Sequence, residues 1–283
     1  YSSETKTGVL VNTDNYTPLR SLALGLVMDV CERVFNVHAV RGMSADSEGN
    51  GLILMGPKGT RKTGLFFSLL QQEGMRLHAN DLVFIRHSGN LVMADSSERK
   101  LFLPTNAVQD FPQLAELFDN SKCESVITRK DDCGNEKCLQ EDNCRLDRGS
   151  LFCYTASKSS FAMLDPYWID GPAKHVKRTA LRWVFILRRD RVSPPFIAAE
   201  PEEALRILES GESTGARTDA AISRARPFFN PHLLLTAPER LESQRRFFRR
   251  LLDNVRCYVI NTESADASDI LRLLSGESPS SQK

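Results

Sequence analysis

A four-residue apolar run that ends in a glycine- and lysine-containing loop constrains this chain more than any other feature. Glu48-Gly49-Asn50-Gly51 makes a turn into Leu52-Ile53-Leu54-Met55, and Gly56-Pro57-Lys58-Gly59-Thr60-Arg61-Lys62-Thr63 follows directly. A helical pattern over Thr63–Gln72 comes next. Consecutive apolar residues bounded by turn signals read as a strand buried on both faces. Strand, glycine loop and helix together are the context in which backbone N–H groups turn inward around phosphate oxygens, with the positive end of the helix behind them. Lys62 is placed to reach terminal phosphates, and the Thr63 hydroxyl to ligate a divalent cation. The expected phosphate-binding residues are therefore Gly56, Pro57, Lys58, Gly59, Thr60, Arg61, Lys62 and Thr63. Arg61 stands where such loops usually carry glycine, so its side chain either crowds the phosphates or adds a guanidinium to the cradle. A glycine-containing strand-to-helix turn that binds nothing is the alternative.

Around this element the pattern alternates between strands and helices. Gly8–Asn12 reads as a short buried strand, Thr17–Val34 as a helix with Pro18 in its tolerant first turn, and Val37–Met43 as a strand. Leu77–Arg86 and Leu91–Ala94 flank Ser88-Gly89-Asn90 as a hairpin. Asn106–Asp119 is helical in spacing, Leu181–Leu187 and Cys257–Asn261 are strands, and Pro201–Ser210 and Pro238–Asp253 are helices. Ser268–Leu274 is a last helix, which Ser268 is suited to cap. Hairpins mixed with strand–helix units favour an α/β class with a mixed sheet. The expected organisation is one domain over 1–274 with a cysteine-rich insertion at about 120–153, and a tail, 275–283, of disordered composition.

Bulk properties mainly exclude. With 37 basic and 36 acidic residues the net charge is +1, so no overall field points to nucleic acid or a membrane surface. Apolar runs such as Leu22–Val30 and Val184–Leu187 are too short to span a bilayer. No secretory signal is visible, although the first residue is Tyr1 rather than Met. The default localisation is cytoplasmic. Five of the seven cysteines (Cys123, Cys133, Cys138, Cys144, Cys153) fall in the insertion without a C-x-x-C pair. A structural zinc, disulfides and unrelated thiols all remain open there.

Beyond the loop, ordered segments resemble the catalytic half of phosphoenolpyruvate carboxykinases and, more compactly, HPr kinase/phosphorylase. His38 in Val37-His38-Ala39-Val40-Arg41-Gly42 lies where the carboxykinases place a metal-binding histidine. Leu77-His78-Ala79-Asn80-Asp81-Leu82 lies where they carry paired aspartates. The run Arg182–Pro195 is similar to their strand ending in Asp before a Pro-Pro pair, Glu202–Gly211 to the helix after it, and Cys257–Thr262 to a terminal strand ending Asn-Thr. The resemblance spans about Gly8 to Leu274, apart from the insertion. It implies a mixed-sheet P-loop kinase domain of the phosphoenolpyruvate carboxykinase/HPr kinase type. It also implies catalytic roles for Lys62, Arg61, Asp81 and His38, with Thr63, Asp81 and His38 around Mg or Mn. The donor would be ATP, or alternatively GTP or pyrophosphate, and the acceptor a hydroxyl or carboxyl on a small molecule or protein. His38 as a satisfied core histidine and Asp81 as a turn or capping residue are the alternatives.

Departures temper that expectation. Asn80 replaces the first aspartate and cannot take a proton from an acceptor. Arg20 stands nearest to an upstream lysine ligand of the carboxykinases, and an arginine stays protonated. A large N-terminal domain that helps bind oxaloacetate has no counterpart, so carboxykinase activity itself is not expected. The alternative function is a nucleotide-binding sensor that has lost catalysis. Arg41, Lys174, Lys177, Arg178, Arg188, Arg189, Arg217, Arg224 and Arg226 are candidate cations for an anionic substrate, with Arg41 and Arg217 preferred.

Overall fold

The computed structural model describes residues 1–2, 4–12, 16–57, 59–97, 100–135, 138, 141–155, 160–168, 171–211, 227–232 and 238–276. The chain divides into two compact units, Tyr1–Ser97 with Val176–Lys283, and Glu98–His175. The second unit starts earlier and ends later than the cysteine-rich stretch at about 120–153.

The first unit is α/β with a mixed nine-stranded sheet. Its centre is β3 (Asn50–Met55), β10 (Arg178–Arg188) and β12 (Arg256–Asn261), all parallel. The eleven-residue β10 meets β3 along one side, while its other side pairs antiparallel with β6 (Leu91–Ser96) at Arg178–Ala180 and parallel with β12 at Trp183–Arg188. Alternation sends Ile53, Met55, Val184, Ile186, Cys257 and Val259 to one face, under α4 (Pro201–Ser210) and α5 (Pro238–Asn254). Leu52, Leu54, Phe185, Leu187 and Ile260 are buried on the other, where α2 (Lys62–Leu70) packs on the sheet and on α6 (Ala267–Leu274). Fully buried side chains of this size contribute about 1.5–3 kcal/mol each. A strand covered on both faces must be apolar throughout, which is why Leu52–Met55 has no polar position.

Two long strand runs turn a corner together. β1 (His38–Arg41) continues after Gly42 into β2 (Met43–Ser47), and β4 (Met75–Ala79) continues after Asn80 and Asp81 into β5 (Leu82–Ser88). β1 pairs with β5 and β2 with β4, while the Gly42 N–H donates to the Asp81 carbonyl at 2.9 Å. A Cβ on Gly42 would meet Ile53 Cγ2 at 2.7 Å and the Leu54 carbonyl at 2.8 Å, so only glycine lets the bend pass over β3. The single strand expected over Leu77–Arg86 is therefore two, broken where Asp81 is presented. α1 (Tyr16–Phe35) covers β1 and β5 through Leu24 and Met28 against Ala39 and Leu82. Gly8–Asn12 is not a strand: it pairs with none of the described strands, and Val9 and Val11 are more than 70% exposed.

The second unit is built on a three-stranded antiparallel sheet, β7 (Leu101–Pro104), β9 (Phe161–Leu164) and β8 (Lys122–Glu124). Phe118 of α3 (Leu114–Asp119) and Tyr154 are fully buried and meet edge to face at 5.7 Å. The helix expected over Asn106–Asp119 is split at Pro112 into a 3-10 turn, Thr105–Gln109, and α3. All seven cysteines are free thiols. Among the described residues no three His, Cys, Asp or Glu side chains converge as a metal site.

Ser268 does not cap the last helix. Asp266 is the N-cap: its carboxylate accepts from the N–H groups of Ser268 and Asp269, and Asp269 accepts from the Asp266 N–H, a reciprocal capping box. Asp266→Ala is expected to cost about 1 kcal/mol, read as a lower urea midpoint. Ser268→Ala should stay close to wild type.

Candidate phosphate site

The loop after β3 is shaped by close packing at one end and left-handed backbone at the other. Gly56 lies against the end of β10, where a Cβ would sit 2.9 Å from Leu187 Cβ and 3.1 Å from its carbonyl oxygen. Gly59 has φ +95°. Thr60 is buried, its hydroxyl donating to the Pro57 carbonyl at 2.9 Å. Arg61, the residue before α2, has φ +52°, a conformation that glycine adopts freely and an arginine only at a cost. The expected glycine position is therefore a backbone requirement that this sequence meets with strain. The Arg61 side chain is exposed and lies in the field of Glu263, which Arg189 binds at 2.6 Å.

Lys62 opens α2 and folds back over the loop, donating to the Gly56 carbonyl at 3.1 Å. Burial, together with the positive charge of Arg41, lowers its pKa to about 8, with Asp81 opposing. Asp81, at the strand corner, is bound by Arg20 of α1 at 2.7 Å and stands 3.5 Å from Arg41. Burial alone would raise its pKa, but Arg20, Arg41 and Lys62 outweigh that and hold the carboxyl below the usual range. Three cations thus face one carboxylate beside the N-terminus of α2, a locally positive site suited to phosphate oxygens. Thr63 follows in the first turn of the helix and is partly buried.

His38 is not part of this group. It shares a face with Val40, beneath α5, where its ring stacks on Phe247 at 4.0 Å. Asn36 Oδ1 lies 3.2 Å from its Nε2 and Glu32 Oε1 3.6 Å from its Nδ1. Arg41, three residues on, projects from the other face with Ala39. The set Thr63, Asp81 and His38 is therefore not assembled around a common point, and His38 fills the role of a packed core histidine. Of the three expected ligands this leaves Thr63 and Asp81, a hydroxyl and a carboxylate, which are oxygen donors of the kind Mg accepts. Lys58 and Arg217, with Arg224 and Arg226, lie outside the described residues.

What the sequence pattern did not expose is the clamp behind the loop. The Thr262 hydroxyl donates to the Thr60 carbonyl at 3.0 Å and lies 3.2 Å from the Arg188 carbonyl, which also accepts from the Thr262 N–H at 2.9 Å. Asn261, fully buried, donates to the carbonyls of Asp190 and Ser193 and accepts from the Asp190 N–H. The Asn-Thr ending of β12 was visible as a resemblance, but its bonds to the loop are tertiary.

No family model and no curated protein sequence matches the chain. Among solved structures, the Hpr(Ser) kinase/phosphatase from Coxiella burnetii aligns with 57% of this chain and 70% of its own, at 9% identity and a TM-score of 0.29. A likeness at that level carries no argument about fold or activity.

Two outcomes follow from the loop geometry. Arg61→Gly should raise stability by up to about 1 kcal/mol, since glycine takes the left-handed conformation without strain. It is read from denaturant unfolding. Lys62 titrates near 8 when folded against 10.5 as a free side chain, so the unfolded chain binds its proton more tightly. The penalty is complete below pH 8, and stability rises with pH between the two values. Lys62→Met removes that dependence: its melting temperature should exceed wild type below pH 8, with the margin shrinking towards pH 10.5.

Proposed function

We propose that this chain binds the phosphates of a nucleoside triphosphate on Gly56–Thr63 and transfers the terminal phosphoryl group to a hydroxyl or carboxyl acceptor. The observation that supports it is the meeting of a strand–loop–helix element with three cations, Lys62, Arg41 and Arg20, beside one carboxylate. Phosphoryl transfer needs little covalent help from a protein. It needs in-line positioning and charge neutralisation, which N–H groups at a helix start, a lysine and an arginine supply. A divalent cation, Mg or Mn, would enter with the nucleotide, held by the Thr63 hydroxyl, Asp81 and phosphate oxygens; it would supply further neutralisation of the transferred group. Arg41, more than half exposed, is free to swing toward a terminal phosphate. ATP is the first donor to test, with GTP and pyrophosphate as alternatives.

A second reading has its own support. Asn80 stands beside Asp81 and cannot act as a base, and the Asp81 carboxylate is already taken up by Arg20. Both suit a sensor that binds a nucleotide without turning it over.

Thermal melts and calorimetric titrations with ATP, GTP, ADP and pyrophosphate, with and without Mg or Mn, test the reading on wild type and Lys62→Ala. A ligand at a hundredfold excess over its Kd stabilises the native state by about 2.7 kcal/mol. The expected result is a concentration-dependent rise in melting temperature that Lys62→Ala loses. No shift with any of the four would overturn the phosphate reading. A shift without turnover at stoichiometric protein would select the sensor.

A further inference from the structure

Arg188 ends β10 beside the loop, and its side chain is only 7% exposed. Its Nε and Nη2 have no hydrogen-bond partner among the described residues. These two groups lie on one edge of the planar guanidinium, the edge that takes a carboxylate or phosphate through two parallel bonds. Asp190 Oδ2 likewise has no hydrogen-bond partner there, and it stands 3.6 Å from Arg188 Nε. At that separation the charges attract, but no hydrogen bond forms. Leaving such atoms buried and unmet costs free energy.

The surrounding backbone is not loose. Asp190 Oδ1 accepts from the N–H groups of Val192 and Ser193, at 3.0 and 2.6 Å. Asn261 fixes the Asp190 and Ser193 carbonyls, and Thr262 fixes the Arg188 carbonyl. A firm frame, in which the Ser193 side chain also hydrogen-bonds the Asp190 carboxylate, thus holds two complementary groups, with Arg188 Nε and Nη2 and Asp190 Oδ2 unmet among the described residues.

We propose that Arg188 and Asp190 form a subsite for a small hydroxy acid or amino acid. The ligand's carboxylate takes the Arg188 fork, and its neighbouring hydroxyl or ammonium donates to Asp190 Oδ2. The location suits a second substrate. Ile186 pairs with Met55 and Gly56 packs on Leu187, so the subsite is one strand away from the loop, a spacing of about 4.8 Å. Ligands of open α/β sheets bind outside the carboxyl ends of the strands. That this acid is the phosphoryl acceptor rests on the phosphate reading of the loop; its binding does not.

Calorimetric titration of nucleotide-free protein with serine, glycerate and propionate separates the two ideas, using wild type, Lys62→Ala, Arg188→Gln, Arg188→Lys and Asp190→Asn. Serine or glycerate should bind wild type and Lys62→Ala alike, and at least tenfold more weakly to both Arg188 variants. Two variants are used so that one failing to fold leaves the other. Propionate, lacking the donor, should bind more weakly than the preferred acid, a margin that Asp190→Asn removes. Preference for serine identifies an ammonium donor, and preference for glycerate a hydroxyl. No saturable binding of either acid to wild type overturns the subsite, as does equal binding by a folded Arg188 variant. Acid binding lost in Lys62→Ala but kept in Arg188→Gln also overturns it, while leaving the loop reading intact. Acid binding by a protein that ignores all nucleotides would uphold the subsite and sink the loop reading.

Discussion

The Thr262 hydroxyl, held between the carbonyls of Thr60 and Arg188, is the interaction on which the site depends. It ties the Gly56–Thr63 loop, the end of β10 and the end of β12 at one point. Three parallel strands bring their carboxyl ends to a common edge by register alone, but register does not shape the loop that leaves β3. The clamp does so from behind, where no ligand competes for it. With Gly56 pressed against Leu187, the loop has little room to adopt another path. That is what preorganisation means physically: the backbone cost is met in folding and not at binding.

Electrostatics explains why so positive a cluster is tolerated beside a helix N-terminus, which itself repels cations. Asp81 supplies the compensation. It draws Arg20 from α1 and Arg41 from β1 to the strand corner, and those cations in turn keep it ionised. Burial first, and then the charge of Arg41, lowers the pKa of Lys62 to about 8, and Asp81 only partly opposes them. An anion bound there would raise that pKa again, so anion binding and lysine protonation are linked.

Local features were legible in the sequence, whereas features set by pairing at a distance were not. The strand, loop and helix from Asn50 to Leu70 could be read because apolar run, glycines and helical pattern are contiguous. Arg61 could be flagged as odd, but only its positive φ explains why glycine belongs there. For His38 the metal-ligand and core readings both stood open, because a strand of four residues carries no signal of which face is core. Its ring turned out to belong under Phe247. Arg20 was weighed as a failed metal ligand, when its partner lies sixty-one residues away in the chain. Gly8–Asn12 has the composition of a strand yet pairs with none of the described strands, something composition cannot report.

The long strand β10 has a consequence for how the chain reaches its native state. Its partner β3 lies far before it in sequence, with the whole of Glu98–His175 intervening, and its partner β12 lies well after it. Parallel pairings at such separation are slow to find, since loop closure comes before any reward. During synthesis, β3 leaves the ribosome as an apolar ribbon long before β10 exists to cover its edge. The hairpin of β2 and β3, joined by the tight turn at Glu48-Gly49, shields one side of it in the interval. The other side stays open until β10 arrives, which makes that edge of β3 the point where a nascent chain is most exposed to misassociation.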